Sequence, residues 1–368
     1  MNNANNKPRV EIFVRSNIGH LQQLYAGFSA LHCAGEIDLV QHLKPRPNMI
    51  ASAEPHLRDA RLSHCSVLVN KKYRIYYDMH DSWEVDEEAL GKHDFYYKRS
   101  FQPDRYSKTF HGFQKLRAYG LNYEVVSDPV DIFALQRSLL ARSTREFLTA
   151  MGWATGLANL WQFVPSLSRM ETPPPIDAPT TVLFMARTWD PNESSSELDT
   201  KRKIDRDAIN QMRANCIRAL RDAFGESFFG GFAPSAFASM AYPDLVLNNK
   251  SYKKRNYIDT LRSSTIGVTT AGLHGSIGWK MAEYVAFSRA IVSEKFDAAI
   301  PGNFSETSNY LSFQNADECV NQVRKLVNDD ELRRRMMRNN RDYYLKYLCP
   351  KKQVARSLDE MMSRPAQI

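Results

Sequence analysis

Long apolar runs are missing from this chain: nowhere do about 18 apolar residues follow one another, so no segment is expected to span a membrane. The opening residues, MNNANNKPRVEIFVRS, lack the charged-then-apolar pattern of a secretory signal and read as a short polar tail entering a strand. Cysteine is scarce and scattered. The five thiols, Cys33, Cys65, Cys216, Cys319 and Cys349, form no Cys-x-x-Cys pair. That argues against a zinc site or a disulfide framework and fits a reducing compartment, so a cytoplasmic protein is expected. Signatures of nucleic-acid-binding modules are also absent. The formal net charge of +8 is therefore read as solubility plus an anion site, with no nucleic-acid partner. Peripheral contact with the inner face of a membrane is the alternative that charge favours more.

What is present is a two-domain α/β pattern. The 368 residues exceed one domain of about 100–200 residues, and 43% of them are hydrophobic, enough for two cores. Short β-rich runs such as 10–15 (VEIFVR), 66–70 (SVLVN), 73–79 (YRIYYDM) and 95–99 (FYYKR) alternate with helical spacing, as over 22–33. A long helix is predicted over Val130–Met151, with Asp128-Pro129 as its start signal. The rhythm breaks at Pro173–Pro175, which fit neither a helix nor a central strand. It then restarts at 181–186 (TVLFMA). The expected organisation is a first Rossmann-like domain over 1–170, a Pro-rich linker over 171–180, a second such domain over 181–348, and a C-terminal helix within 349–368 that packs back on the first. Alternating strands and helices argue for parallel sheets covered on both faces, with ligands at the carboxyl ends of strands.

The most informative stretch is Gly272–Glu294, GLHGSIGWKMAEYVAFSRAIVSE, preceded by the strand-like TIGVTT. A glycine-rich turn opening a helix lets backbone approach a ligand, and the helix N-terminus favours a phosphate. Gly275, Ser276 and His274 lie in that turn. Lys280 would add a point charge, and Glu283, on the same helical face, could accept from two ribose hydroxyls. An ordinary strand-to-helix turn is the plain alternative.

Here the sequence resembles the GT-B glycosyltransferases, in which a glutamate ahead of a small-residue helix segment and a strand binds the donor ribose. Glu283-Tyr-Val-Ala-Phe-Ser-Arg-Ala-Ile-Val292 fits that place. Residues 180–350 resemble in particular bacterial glycosyltransferases encoded with surface-polysaccharide genes, through WKMAEYVAFSRAIVSE, Asn309-Tyr310-Leu311 and YYLKYLCP. The resemblance implies two Rossmann-like domains facing across a cleft, and transfer of a sugar from a nucleotide-sugar donor to a glycan or lipid-linked acceptor. It also implies a diphosphate contact at Arg187, just after the strand 181–186. Asn309 and Tyr310 are candidates for the donor pocket, with a core role for Tyr310 as the alternative. Retaining members often carry a second glutamate eight positions before the first; here that position is Gly275, which leaves the stereochemical outcome open.

The acceptor base is expected in the first domain. Asp78, His80 and Asp81 end a strand pattern, where ligand loops begin, and a carboxylate or imidazole there could take the acceptor's proton. Capping of a turn is the alternative for each. Cationic side chains are expected to carry the leaving diphosphate's charge without a metal. A nucleotide-sugar epimerase of the same fold and a non-catalytic nucleotide- or glycan-binding module are the rival readings.

Overall fold

The computed structural model describes residues 7–16, 18–43, 62–128, 131–134, 139, 144, 147–148, 151–152, 155, 165–193 and 200–363. The helix predicted over Val130–Met151 lies largely outside them. The chain divides into two units. The first comprises residues 1–168, 299–301 and 346–368, and the second 169–298 and 302–345.

In the first unit, β1 (Arg9–Val14), β2 (Asp38–Leu43), β3 (His64–Val69), β4 (Tyr73–Asp78), β5 (Phe95–Lys98) and β6 (Leu116–Ala118) form one sheet ordered β2-β1-β3-β4-β5-β6. Its helices include α1 (Gly19–Cys33), which follows β1, and α2 (Glu87–Lys92), between β4 and β5. Alternation places Val10, Ile12 and Val14 of β1 in the core. The expectation of a parallel sheet needs one correction here. β3 runs antiparallel to both β1 and β4, while the other neighbours pair in parallel. Only Asn70–Lys72 separates β3 from β4, too short for the crossover a parallel pair requires. Asn70 and Lys71 take left-handed φ values of 52° and 56° to close that hairpin. β1, β2, β4, β5 and β6 still point one way, so their carboxyl ends share one edge.

The second unit carries β7 (Val182–Ala186), β8 (Phe228–Phe232), β9 (Ile266–Thr269), β10 (Ala290–Glu294) and β11 (Leu311–Phe313), all parallel, in the order β11-β10-β9-β7-β8. Its longer helices are α3 (Thr200–Phe224), α4 (Lys254–Ser263), α5 (Trp279–Ala286), α6 (Ala316–Asn328) and α7 (Asp330–Tyr343). β7 and β9 are buried at every residue, and their runs VLFMA and IGVT carry no charged side chain, as a sheet covered on both faces requires. Within the Pro-rich stretch, Thr172 is fastened to this unit. Its N–H donates to the Ala286 carbonyl at 3.2 Å and its hydroxyl to that of Phe287 at 3.1 Å.

The chain then returns to the first unit as α8 (Pro350–Met362). Val354, Leu358 and Met361 join the core that holds Leu24, Tyr25 and Phe28 of α1. Gln23 Nε2 donates to the Leu348 carbonyl at 2.9 Å, and the Tyr77 and Ser357 hydroxyls meet at 2.6 Å. Gly27 permits this packing: a Cβ there would lie 2.4 Å from Val354 Cγ2 and 2.5 Å from the Pro350 carbonyl oxygen. Gly91, on the exposed side of α2, faces open space. Gly27→Ala is expected to lower stability by about 1–3 kcal/mol through overpacking. Gly91→Ala should raise it by about 0.5–1 kcal/mol through helix propensity. Thermal unfolding midpoints moving in opposite directions check the pair.

Candidate donor and acceptor sites

The strand order of the second unit reverses between β7 and β9: β8 lies to one side of β7, and β9, β10 and β11 to the other. Ligands of such sheets bind outside the carboxyl ends of the strands at that reversal. β7 ends there in Arg187, whose side chain is exposed. β9 ends in Thr270-Ala271 and the turn Gly272–Ser276. The turn closes on itself, with the Gly272 N–H donating to the Ser276 carbonyl at 2.8 Å. His274 and Gly275 take left-handed φ values of 60° and 65°, and both are exposed, whereas Ser276 is buried. α5 starts at Trp279 without a side-chain cap, leaving its first N–H groups at this edge.

Four side chains meet beside that helix start. Glu283 is buried, with 3% of its surface exposed. Its carboxylate lies 3.1 Å from Lys254 Nζ and 3.4 Å from Lys280 Nζ, and it accepts the Tyr257 hydroxyl. Lys280 Nζ also sits 3.3 Å from the centroid of the Tyr257 ring. Burial alone would raise the Glu283 carboxyl, but Lys254, Lys280 and the Tyr257 hydroxyl outweigh it and hold it at about 2. Burial pushes the Lys280 ammonium down to about 8, against the pull of Glu283. Two lysines face one carboxylate, so the group carries surplus positive charge.

Asn309 and Tyr310, just before β11, are engaged by side chains of the second unit. β11 begins at Leu311, which pairs with Val292 in the middle of β10. Asn309 is buried; its Oδ1 accepts from the Ser305 N–H at 3.0 Å and its Nδ2 donates to Asn340 at 3.0 Å. Tyr310 packs against Phe296 and Phe304.

In the first unit the three expected base candidates differ sharply. Asp78 is buried, and both of its oxygens are engaged. Lys98 Nζ lies 3.0 Å away, the Tyr96 hydroxyl donates at 2.5 Å, and the His80 N–H donates at 3.0 Å. Lys98 is fully buried, and burial lowers its ammonium while Asp78 pulls it back. Asp78 is thus an anchor for the β4–β5 edge rather than a proton acceptor, because its charge is already satisfied inside the protein. His80 Nδ1 accepts from the Ser82 N–H at 3.3 Å, which commits that lone pair locally. Asp81 is about a third exposed, at 34% of its side chain. It pairs with the buried Arg99 and lies 3.6 Å from His20 Nε2. The Ser100 hydroxyl donates to the Asp81 carbonyl at 2.7 Å, and Asn122 Nδ2 to the His20 carbonyl at 3.1 Å. His20, in the first turn of α1, and Lys254 and Tyr257, on α4, went unnamed in the sequence reading.

The sequence holds one Asp-x-Asp triplet, Asp205-Arg206-Asp207, within α3. Two helical positions apart, its exposed carboxylates point about 200° from each other and do not converge. No group of three or more His, Cys, Asp or Glu gathers as a metal site among the described residues.

Residues 211–359 match a family model described as glycosyl transferase-like. That match takes in about two-fifths of the chain, all but its last residues C-terminal to Gln211. No curated protein matches the chain. Among solved structures it is similar to a glycosyltransferase from Rickettsia africae, with 10% identity over 99% of this chain and 84% of that one at a TM-score of 0.41. It is similar also to Anabaena Alr3699/HepE in complex with UDP, with 12% identity over 90% and 89% at a TM-score of 0.38. A third is the C-terminal domain of a glycosyl transferase group 1 family protein, LpcC, from Francisella tularensis, with 12% identity over 46% and 87% at 0.32. The family match covers Lys254, Tyr257, the Gly272–Ser276 turn, Lys280 and Glu283. Arg187, His20 and Asp81 lie before it.

Asp78 and Asp81 should separate in mutagenesis. Asp78→Ala, which strands the buried Lys98, is expected to cost about 3–5 kcal/mol of stability. Asp81→Asn should cost clearly less, because Asp81 is partly exposed and the amide oxygen can still accept from the buried Arg99. Chemical denaturation of both variants checks the contrast.

Proposed function

We propose that this protein is a glycosyltransferase that takes a sugar from a nucleoside-diphosphate sugar held at the β7–β9 edge and passes it to an acceptor hydroxyl, without a metal. The observation that carries the reading is the paired Lys254 and Lys280 around the buried Glu283, beside an uncapped helix start at the strand reversal. Such a place suits a doubly charged diphosphate next to a ribose. The diphosphate oxygens take the two ammonium groups and the first N–H groups of α5, with Arg187 and the Gly275–Ser276 turn alongside. Glu283, relieved of part of its ion pairing, accepts from the ribose hydroxyls.

In the transfer step the bond from the anomeric carbon to the diphosphate oxygen breaks and a bond to the acceptor oxygen forms. The lysines and Arg187 stabilise the charge left on the diphosphate. The acceptor's proton goes to His20, which Asp81 orients and stabilises once charged. Displacement of this kind inverts the anomeric centre. The sequence resemblance over Trp279–Glu294 supports a glycan or lipid-linked saccharide of surface-polysaccharide synthesis as acceptor. The net charge of +8 supports peripheral contact with an anionic membrane face in the cytoplasm. No helix among the described residues is long and apolar enough to cross a membrane.

Thermal-shift titration with UDP, GDP, CDP, ADP and dTDP, then turnover of the matching sugar conjugate, tests the reading. One nucleoside diphosphate should stabilise the protein, and its sugar conjugate should be consumed with an acceptor and hydrolysed slowly without one. Conversion of the donor sugar to its epimer, or no shift with any nucleotide, contradicts it. Lys254→Ala should weaken nucleoside-diphosphate binding by about 10- to 100-fold, the worth of one charged hydrogen bond. Above pH 8 unliganded Lys280 sheds its proton, so binding must take one up. Affinity should then fall by up to about tenfold per pH unit, and Lys280→Arg should flatten that slope.

A further inference from the structure

Arg213 of α3 is 8% exposed, and among the described residues no carboxylate pairs with it directly, although the charge of Glu294 acts on it from nearby. Its fork is spent on the two loops that flank the strand reversal. Nη1 donates to the Arg187 carbonyl at 2.7 Å, Nη2 to the Ala271 carbonyl at 2.9 Å and Nε to Thr270 Oγ1 at 2.9 Å. The Ala271 peptide is gripped from its other side as well: its N–H donates to Glu294 Oε2, at the end of β10, at 2.8 Å. One turn earlier on α3, buried Asn210 accepts the Trp189 N–H at 2.8 Å and donates to the Trp189 carbonyl at 2.7 Å. The ends of β7, β9 and β10 are thereby tied to one helix face through polar groups alone.

Burying a guanidinium costs free energy that hydrogen bonds to neutral carbonyls repay only in part. Apolar packing would fill the same volume more favourably. What a planar fork adds is a fixed distance and angle between two loops. Those loops carry Arg187 and the Gly272–Ser276 turn. We propose that Arg213 is a positioning residue: it presets the phosphate-binding edge by holding the Arg187 loop against the turn that opens α5. The inference rests on the donor site proposed above. It adds that diphosphate affinity depends on this buried clamp, which touches no ligand.

The test uses the full chain. Dissociation constants are measured by calorimetry for the nucleoside diphosphate that stabilises the wild type and for its parent nucleoside. Arg213→Lys keeps the charge and loses the fork. Thr270→Val keeps Arg213 and removes one acceptor, and serves should Arg213→Lys not fold. Arg218→Lys, on the same helix in an exposed pair with Asp244, reports any general effect of arginine loss from α3. The expected result is a loss of diphosphate affinity of at least tenfold in Arg213→Lys and about threefold in Thr270→Val. Nucleoside binding should change less than twofold, and Arg218→Lys should match the wild type. Unchanged diphosphate affinity in folded Arg213→Lys and Thr270→Val overturns the clamp and leaves the donor site standing. Equal losses for diphosphate and nucleoside also overturn it, because a merely structural role gives that pattern. A wild type that binds no nucleoside diphosphate overturns the donor site and the clamp together.

Discussion

The proposed donor edge depends on a carboxylate that is charged although it is buried. Glu283 lies under the start of α5, where burial opposes ionisation, and it stays ionised because Lys254, Lys280 and the Tyr257 hydroxyl close around it. The dependence runs both ways. Without the carboxylate, two ammonium groups would share one half-buried pocket and repel each other. With it, the group keeps a surplus of positive charge and a lysine lowered to about 8, close to the point where a bound anion decides its protonation. A resting ion cluster of this kind holds the lysines in place before a ligand arrives, which reduces the side-chain entropy lost on binding.

The first unit uses the same ingredients to opposite effect. Asp78 and Asp81 lie three residues apart at the end of one strand. Asp78 is enclosed by Lys98, Tyr96 and the His80 backbone and has no remaining capacity. Asp81 is held by buried Arg99 on one side and reaches toward His20 on the other, with part of its surface in solvent. The satisfied carboxylate fixes the edge, and the shared one is left able to respond to a charge that appears on the neighbouring imidazole. Burial and partner count, not residue type, separate structure from chemistry here.

Strand direction decides how much of this was legible in the sequence. Gly272–Glu294 could be read because the strand end, the turn, Lys280 and Glu283 are all local to one stretch. The β3–β4 hairpin had a local signal too: two residues between the β-rich runs 66–70 and 73–79 leave no space for a crossover helix. The alternating pattern elsewhere masked it. The partners of Asn309 and Tyr310, among them Asn340 and Phe296, lie elsewhere in the chain, so these contacts had no local signal. His20, Lys254 and Tyr257 could not be named from their own surroundings. Each gains its role from a partner far along the chain, Asp81 in one case and Glu283 in the other two. Asp78 and Asp81 were indistinguishable for the same reason, since only the fold assigns Lys98 to one and His20 to the other.

The central claim is that Lys254, Lys280 and Glu283 form the nucleotide site. The most direct measurement is a pH titration of the lysine ε-ammonium resonances by NMR, with and without saturating nucleoside diphosphate. The account predicts that Lys280 titrates near 8 alone and moves upward when the nucleotide binds, with the Lys254 resonance shifting in the same titration. A nucleotide that binds while both resonances stay in place would put the site elsewhere in the molecule.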